Sequence, residues 1–333
     1  MRVSIIGAIA AAMLVGGCGS DSNSKENVPE EPAGQFSLAV SDSPMMGISD
    51  VSLVLSELVM LDQSGAQIRH DLYGHTFNLL DYQGSKSHLV ISGIELPVGR
   101  YHDVRLTVIQ GDGNQGCFVE DGQGRHGLQV TDGLLPVADF EVGVGQHHSI
   151  TLEVDLYRGL SHRHGEYHLD HSGMWSVDNR YMGHLYGEVD PQWIASCETE
   201  HADKAAINGQ FNHLAYLYPS EVTHLEQMSD MTASPQSGKV APVAVAPMMQ
   251  DSESNWYFAM GHLPEGNYRV GYSCLGHLDD PITEDLSQGE FKMFQDAGQA
   301  SVEAGDHGGK ENVHVCGEGN GGHHGGGHHG HQG

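Results

Sequence analysis

The sequence predicts an all-β protein made of two tandem antiparallel β-sandwiches of the immunoglobulin-like or prealbumin-like kind. Short segments alternate apolar and polar residues, and Gly, Asp, Asn and Pro separate one segment from the next. A period of two places successive side chains on opposite faces of a strand, so these segments predict half-buried strands. No segment sustains a period of 3.6 residues, and a sandwich is therefore favoured over an α/β fold.

Four alternating segments define the first predicted sandwich. Their apolar positions are Phe36, Leu38 and Val40; Val51, Leu53 and Leu55; Val104, Leu106 and Val108; and Ile150, Leu152, Val154 and Leu156. In the fourth segment, Thr151, Glu153 and Asp155 lie on the opposite face, which a half-buried strand turns to solvent. The strand candidates of the second half are 207–218, 255–260, 268–274 and 312–316.

One short motif occurs in each half of the chain. Residues 96–101 and 263–268 share the pattern L-P-x-G-x-Y, and each leads into an alternating segment. Proline restricts φ and glycine accepts a positive φ, so both motifs predict a tight turn. We expect the tyrosine that follows each turn to pack near the edge of its sheet.

The N-terminus has the features of a lipoprotein signal peptide. Arg2 gives a positive start, residues 5–15 form an apolar run, and two glycines precede Cys18. The run is short for a bilayer span, and the small residues fit a signal peptidase. We expect cleavage before Cys18 and acylation of that cysteine, because acyl chains anchor a protein at about 0.8 kcal/mol per buried CH₂. Gly19, where Asp would favour inner-membrane retention, favours the outer membrane of a Gram-negative bacterium.

These patterns divide the chain into five predicted parts. We expect a signal peptide at 1–17, a disordered acidic tether at 18–34, sandwiches at 35–190 and 191–316, and a disordered Gly/His-rich tail at 317–333. The tether has too few apolar residues to bury a core. The chain carries 15 Lys and Arg against 44 Asp and Glu, for a formal net charge of -29. Such a surface repels nucleic acid, so we expect no nucleic-acid partner.

Four cysteines remain after Cys18, and none belongs to a C-x-x-C motif. In an oxidising compartment they allow three complete pairings, whereas a zinc ribbon or a thioredoxin-like centre has no support. Cys197 precedes the first predicted strand of the second sandwich and Cys274 ends a later one. We therefore predict a Cys197–Cys274 disulfide, which leaves Cys117 and Cys316 as the remaining pair.

Histidine is unusually frequent, with 24 residues, and the tail holds a dense group. Neutral imidazole binds Zn, Cu and Ni, and glycine lets neighbouring histidines turn towards one ion. The tail therefore predicts a metal-capture segment, the alternative being a tail with no selected role. Its candidate ligands are His323, His324, His328, His329 and His331.

A second group of histidines lies in residues 161–171. If this run is extended, one face holds several N and O ligands that could meet a Zn or Cu ion, namely His162, His164, Glu166, His168 and Asp170. The alternative is a solvent-exposed hairpin loop. Acidic residues at 279–285 could hold Ca²⁺, but they lack EF-hand spacing and a solvated loop is favoured. The sequence contains no H-E-x-x-H, G-x-S-x-G or phosphate-binding glycine loop, and we expect no enzyme.

An ordered set of segments resembles a known family. Residues 35–44, 51–61, 79–84, 96–108 and 150–156 together resemble the bacterial lipoprotein domain of unknown function 4382 (DUF4382), over about 34–190. Residues 191–316 more loosely resemble the prealbumin-like or carboxypeptidase-regulatory-like sandwiches that follow such domains. The resemblance implies an exported, often lipid-anchored β-rich domain, with no established activity and no catalytic residues.

Two functional hypotheses follow. The first is a non-enzymatic, lipid-anchored binding protein of the cell envelope that sequesters transition-metal ions through its histidines. The second is a structural or adhesion-type surface module in which the histidines are incidental. The expected partners are the membrane, through the lipid anchor, and metal ions or a surface ligand. Zn²⁺ or Cu²⁺ is the candidate ion, with Ca²⁺ behind them.

Overall fold

The computed structural model describes residues 32–43, 47–206, 208–231, 235, 237–279 and 291–305, together with the backbone of 313–316. The predicted signal peptide, Cys18 and the tail histidines lie outside these residues. Within them the protein is all-β, which confirms the predicted fold class. None of the described helices is long and apolar enough to cross a membrane.

The first half of the chain forms two sheets. Its elements are β1 (Ala33–Ser43), β2 (Ile48–Asp62), β3 (Gln67–Asn78), β4 (His88–Pro97), β5 (Gly99–Val108), β6 (Phe118–Asp121), β7 (Gly124–Val130), β8 (Leu134–Val137), β9 (Phe140–Val142), β10 (His147–Asp155), α1 (Leu156–Gly159), β11 (Leu160–Arg163), β12 (Glu166–Leu169) and β13 (Met174–Asp178). A four-stranded sheet has the order β13-β10-β1-β4. A nine-stranded sheet has the order β11-β12-β7-β6-β2-β5-β8, with β3 paired to β2 and β9 to β5.

The second half forms two smaller sheets. Its elements are β14 (Met182–Val189), α2 (Pro191–Glu200), β15 (Leu214–Pro219), β16 (Ala244–Pro247), β17 (Met249–Gln250), β18 (Trp256–Pro264), β19 (Gly266–Ser273), β20 (Gln295–Val302) and β21 (Val313–Cys316). The sheets have the orders β17-β18-β14-β21 and β16-β15-β19-β20. Strand β14 precedes the predicted boundary at residue 190 but pairs with β18 of this half.

Most neighbouring strands are antiparallel, as the sequence predicts, but three pairs are not. Strands β1 and β10 run parallel, from Gln35 beside His147 to Ser43 beside Asp155. Strand β12 is parallel to β7, and β14 is parallel to β21. The sheets are therefore mixed, because parallel partners can be supplied by strands far apart in the chain.

Each pair of sheets encloses its own apolar core. In the first, Leu38 and Leu152 of the four-stranded sheet pack with Leu53 and Leu106 of the nine-stranded sheet. In the second, Phe258 and residues of β14 pack with β15 and β19. These are the alternate apolar positions of the strands, so the period of two explains both cores.

The repeated L-P-x-G-x-Y motif forms the same corner in both halves, and the predicted turns are confirmed. Each corner carries the chain from one sheet of its sandwich to the other, from β4 to β5 and from β18 to β19. The Tyr101 hydroxyl donates to the Pro97 carbonyl at 2.6 Å, and Tyr268 donates to Pro264 at 2.8 Å. A tyrosine that bonds back to the preceding turn fixes the strand's exit direction, as in the tyrosine corner of other sandwiches.

Candidate functional site

The polar face of β1 and β10 is buried between the two halves of the chain. Glu153 and Asp155 are buried, as are Ser41 and Ser43, which lie beside them on the neighbouring strand. Strand β18 of the second half packs against both strands. The expectation that this face meets solvent is wrong, because a strand from the other half of the chain covers it.

Hydrogen bonds between described residues join the halves directly. The Arg158 guanidinium donates to the Val243 carbonyl at 2.7 Å, and the Trp175 indole donates to the His262 carbonyl at 3.0 Å. The amide of Val245 donates to the Asp155 carboxylate at 3.1 Å. Each bond joins a side chain of the first half to a backbone group of the second half. The bonds therefore fix these side chains relative to the backbone that they contact.

A buried acid–imidazole contact lies at the centre of this interface. Nδ1 of His262, on β18, lies 3.4 Å from Oε2 of Glu153, on β10. The Ser43 hydroxyl donates to the other oxygen of Glu153 at 3.2 Å. The backbone amide of His262 donates to Nδ1 of His184 at 3.1 Å, which places a second imidazole beside the first.

Burial changes the acidity of the neighbouring carboxyls. Burial, with the charges of Glu153 and Asp155 adding to it, holds the pKa of Asp42 well above its usual range. Burial likewise raises the pKa of Asp155 to about 7, although the Arg158 charge and two backbone amides oppose the shift. Buried carboxyls of this kind hold protons at pH values where exposed ones have lost them.

The backbones of the two halves approach closely at one point. A Cβ atom on Gly261, in β18, would lie 1.8 Å from the carbonyl oxygen of Gly84. No side chain fits at that distance, so glycine is needed for the contact itself. The interface therefore depends on close backbone packing as well as on hydrogen bonds.

The described surface includes an acidic cleft and a cleft between the halves. One, of about 410 Å³, is lined by Tyr186, Glu188, Asp251, Glu253 and Trp256 together with neighbouring residues. Its carboxylates and aromatic faces suit a ligand that carries hydroxyl or cationic groups. The other, of about 350 Å³, lies between the halves, with Arg158 and Trp175 on one side and Val243 and Tyr268 on the other.

The internal histidine run forms a hairpin, the alternative that the sequence left open. Strands β11 and β12 pair, and His164 and Gly165 make the two-residue turn with positive φ values of 53° and 84°. His162 is opposite Tyr167, whereas His168 is opposite Ser161. Opposed residues share a face, so His162 and His168 point to opposite faces of the hairpin. The predicted shared face is wrong because the turn interrupts the strand.

His162 instead lies beside groups from a neighbouring strand pair. Its ring stacks on Tyr167 at 4.5 Å between centroids and meets His126 at 5.4 Å. Asp121 accepts a hydrogen bond from the Tyr167 hydroxyl at 2.7 Å and lies 3.1 Å from Nε2 of His126. The Tyr167 contact lowers the pKa of Asp121 to about 2. Across the described residues, no group of three or more His, Cys, Asp or Glu side chains is arranged to hold a metal ion.

The cysteines whose side chains the structure describes form one disulfide and leave one free thiol. The predicted Cys197–Cys274 disulfide is present and joins α2 to the end of β19. The predicted Cys117–Cys316 pair is not borne out, because Cys117 is a free thiol buried in the first half, with its sulfur 3.2 Å from the Val54 amide. Burial raises the pKa of the Cys117 thiol to about 11, so it is not a nucleophile at neutral pH.

The acidic loop is described only up to Asp279. That residue is buried and accepts hydrogen bonds from the Tyr216 hydroxyl at 2.8 Å and from the Met231 amide at 3.1 Å. It is therefore part of a packed network. Asp280, Glu284 and Asp285 lie outside the described residues.

Sequence reasoning missed the buried contact of Glu153 and Asp155 with the strand of His262, and it missed the burial of Asp42 at the end of the apolar face of β1. One signal was available for β10, since Glu153 and Asp155 alternate there with aliphatic residues. The identity of the covering strand had no signal of its own. It depends on contacts between residues that are far apart in the chain.

Comparison with known proteins gives one family match and several distant structures. Residues 33–170 match the model of the family described as domain of unknown function DUF4382. None of the curated proteins searched matches the chain. The structure of a candidate cell adhesion protein from Parabacteroides distasonis aligns at 7% identity over 72% of this chain and 79% of that chain, with a TM-score of 0.20. A candidate adhesin from Bacteroides ovatus aligns at 8% identity over 78% and 84%, with a TM-score of 0.17.

Scores this low carry no argument about the architecture or function of this chain. The family match is different, because it covers β1 to β12 continuously and includes the strands that form the first core. It confirms the resemblance predicted from the ordered segments. Residues 33–170 of the chain thus match the DUF4382 family model.

Proposed function

We propose that this protein is a non-enzymatic, lipid-anchored module of the bacterial cell surface, in which two sandwiches form one stiff unit that presents contact surfaces. Cys18 carries the lipid anchor, and the two sandwiches act as a structural or adhesion-type surface module in which the histidines are incidental. The acidic composition and the disulfide both suit a protein exported to an oxidising compartment.

One observation carries the proposal, namely the buried interface between the sandwiches. Domains that merely follow one another in a chain move independently unless their shared interface is large and well packed. Here the polar face of β1 and β10 is buried, side-chain hydrogen bonds cross to the other half, and Gly261 contacts Gly84 through the backbone. A stiff pair of sandwiches transmits force or holds a binding surface at a fixed distance from the membrane.

Stiffness is tested by Gly261→Ala, which puts a methyl group where the Gly84 carbonyl lies. We expect a broader distribution of pulsed-EPR distances between one spin label in each sandwich. Gly122→Ala is the matched control, because a Cβ at Gly122 meets open space. Equal, narrow distributions in both variants and the wild type would show that the close contact does not set the arrangement.

Anchoring and attachment are tested in cells. Wild-type cells should incorporate a clickable fatty acid into the protein, and the Cys18→Ser strain should not. Attachment of cells to a defined surface should fall in the Cys18→Ser and gene-deletion strains, and should persist when residues 321–333 are removed. Unchanged attachment in the gene-deletion strain would refute the adhesion-type role, and continued labelling of Cys18→Ser would refute the anchor.

A second function, transition-metal capture, rests on the five histidines of the Gly-rich tail, beginning at His323. We expect Zn²⁺ or Cu²⁺ to bind the full-length protein at neutral pH and to be released as pH falls through about 6.5, where imidazole takes up a proton. Titration calorimetry on the full-length and tail-deleted proteins measures this. Equal stoichiometry in the two would exclude the tail as the principal ligand.

A further inference from the structure

Two histidines from different sheets meet at one edge of the first sandwich. His75 lies on β3, which pairs with β2 of the nine-stranded sheet, and His88 begins β4 of the four-stranded sheet. Their Nε2 atoms are 2.6 Å apart, and the planes of the two rings differ by 13°. The sequence does not reveal this pair, since the contact depends on how the two sheets stack.

The two rings differ in how firmly they are held. His88 is half-buried and packs on Phe77 at 4.4 Å and on Tyr82 at 4.7 Å between ring centroids. His75 is exposed, so its ring can move and solvent reaches the nitrogen pair. Burial and the neighbouring His75 hold the pKa of His88 below its usual value. A neutral ring keeps the lone pair that a metal ion needs.

The two nitrogens now face each other head-on. Their 2.6 Å contact between rings whose centroids are 5.0 Å apart is that of an imidazole–imidazole hydrogen bond. Nitrogens about 2.0 Å from an ion lie about 2.8 Å apart at adjacent corners of a square plane, and about 3.3 Å apart at corners of a tetrahedron. An ion on the lone pair of His88 therefore takes the place of the His75 nitrogen, and the His75 ring must swing aside by about 2 Å to become the second ligand. Because His75 is exposed, its ring can make this movement without disturbing the His88 packing.

We propose that His75 and His88 form a two-imidazole binding site for a divalent transition ion, with Cu²⁺ as the preferred ion. Cu²⁺ favours tetragonal geometry and stands highest in the affinity order of the divalent first-row metals. Water completes the coordination on the exposed side. The bound ion links β3 to β4, and so joins the two sheets of the DUF4382 domain at this edge.

The site is separate from the tail and from the function proposed above, so its test must report on individual histidines. Full-length protein is treated with diethylpyrocarbonate with and without saturating Cu²⁺, and modification of each histidine is measured by peptide mass spectrometry. Cu²⁺ should slow modification of His75 and His88 at least about tenfold, since loss of even a supporting group costs that much affinity at metal sites. His70, exposed on the same strand, is the internal control and should change less than twofold.

Variants then show whether the two rings bind together. In His75→Ala, Cu²⁺ should no longer protect His88, and in His88→Ala it should no longer protect His75. His70→Ala is the matched variant and should leave both protected. Protection of His88 that persists in His75→Ala, or equal protection of His70 in the wild type, would overturn the proposal. Each protein is compared with itself, with and without copper. Loss of the imidazole hydrogen bond in a variant therefore does not affect the protection factor that is measured.

Discussion

Removal of the Cys197–Cys274 disulfide should strongly destabilise the second sandwich. The bond joins residues 77 positions apart, and both sulfur-bearing side chains are fully buried. A cross-link over a loop of this length lowers the entropy of the unfolded chain by an amount worth about 4.5 kcal/mol at 25 °C. We therefore expect the double variant Cys197→Ala/Cys274→Ala to lose about 4 to 5 kcal/mol of unfolding free energy.

Equilibrium unfolding in guanidinium chloride, followed by tryptophan fluorescence, measures the loss. The signal reports on the right region, because Trp175, Trp193 and Trp256 all pack against the second core. Cys117→Ala is the matched control, since it removes a buried sulfur without removing a cross-link, and we expect it to cost about 1 kcal/mol. A double variant no less stable than Cys117→Ala would refute the loop-entropy reasoning for this bond.

Protonation of buried carboxyls should make stability depend on pH. The raised pKa of Asp42 means that its carboxyl binds a proton more tightly in the folded protein than in the unfolded chain. The stabilisation from this proton is therefore complete below about pH 4 and is lost as pH rises through the pKa of the folded state. Asp42→Asn should flatten this pH dependence and should be more stable than the wild type at pH 8. The gain should be about 1.4 kcal/mol for each tenfold difference in proton affinity between the folded protein and the unfolded chain. Urea titrations of both proteins at pH 4 and pH 8 measure it, and an equal pH dependence in the two would contradict the prediction. At the corners, Tyr101→Phe should cost about 1.5 kcal/mol and Tyr268→Phe about 0.5, because the Tyr101 bond is the more buried. Thermal unfolding of the two variants checks the order, and a reversed order would count against the corner explanation.

Local pattern was sufficient for the main core strands, such as β1, β10 and β19, and for the corners. The alternation in residues 150–156 places Ile150 and Leu152 in the core, and proline and glycine in L-P-x-G-x-Y fix the turn. These features depend on residues close together in the chain. The Cys197–Cys274 pair was predicted on another ground, namely that Cys197 precedes the first predicted strand of the second sandwich and Cys274 ends a later one; the bond itself joins residues 77 positions apart.

The faces turned away from the cores were not predictable in the same way. Glu153 resembles a solvent-facing residue until β18 covers it, and His75 and His88 meet only because two sheets stack. The predicted shared face of the internal histidines was wrong for a local reason, since the turn at His164 changes which residues share a face. Side-chain chemistry in this protein is thus decided mainly by contacts between distant segments.

The parallel pairing of β1 with β10 bears on the order in which the first domain folds. Because Gln35 must meet His147, closing this loop costs about 4 kcal/mol of chain entropy, and such long-range pairings fold slowly. When the chain emerges with its N-terminus first, hairpins such as β2–β3 can form early. One edge of β1 stays unpaired until β10 has emerged. An open strand edge binds other extended chains. Truncations that end before His147 should therefore aggregate during export, and a partner that shields this edge would aid secretion of the whole protein.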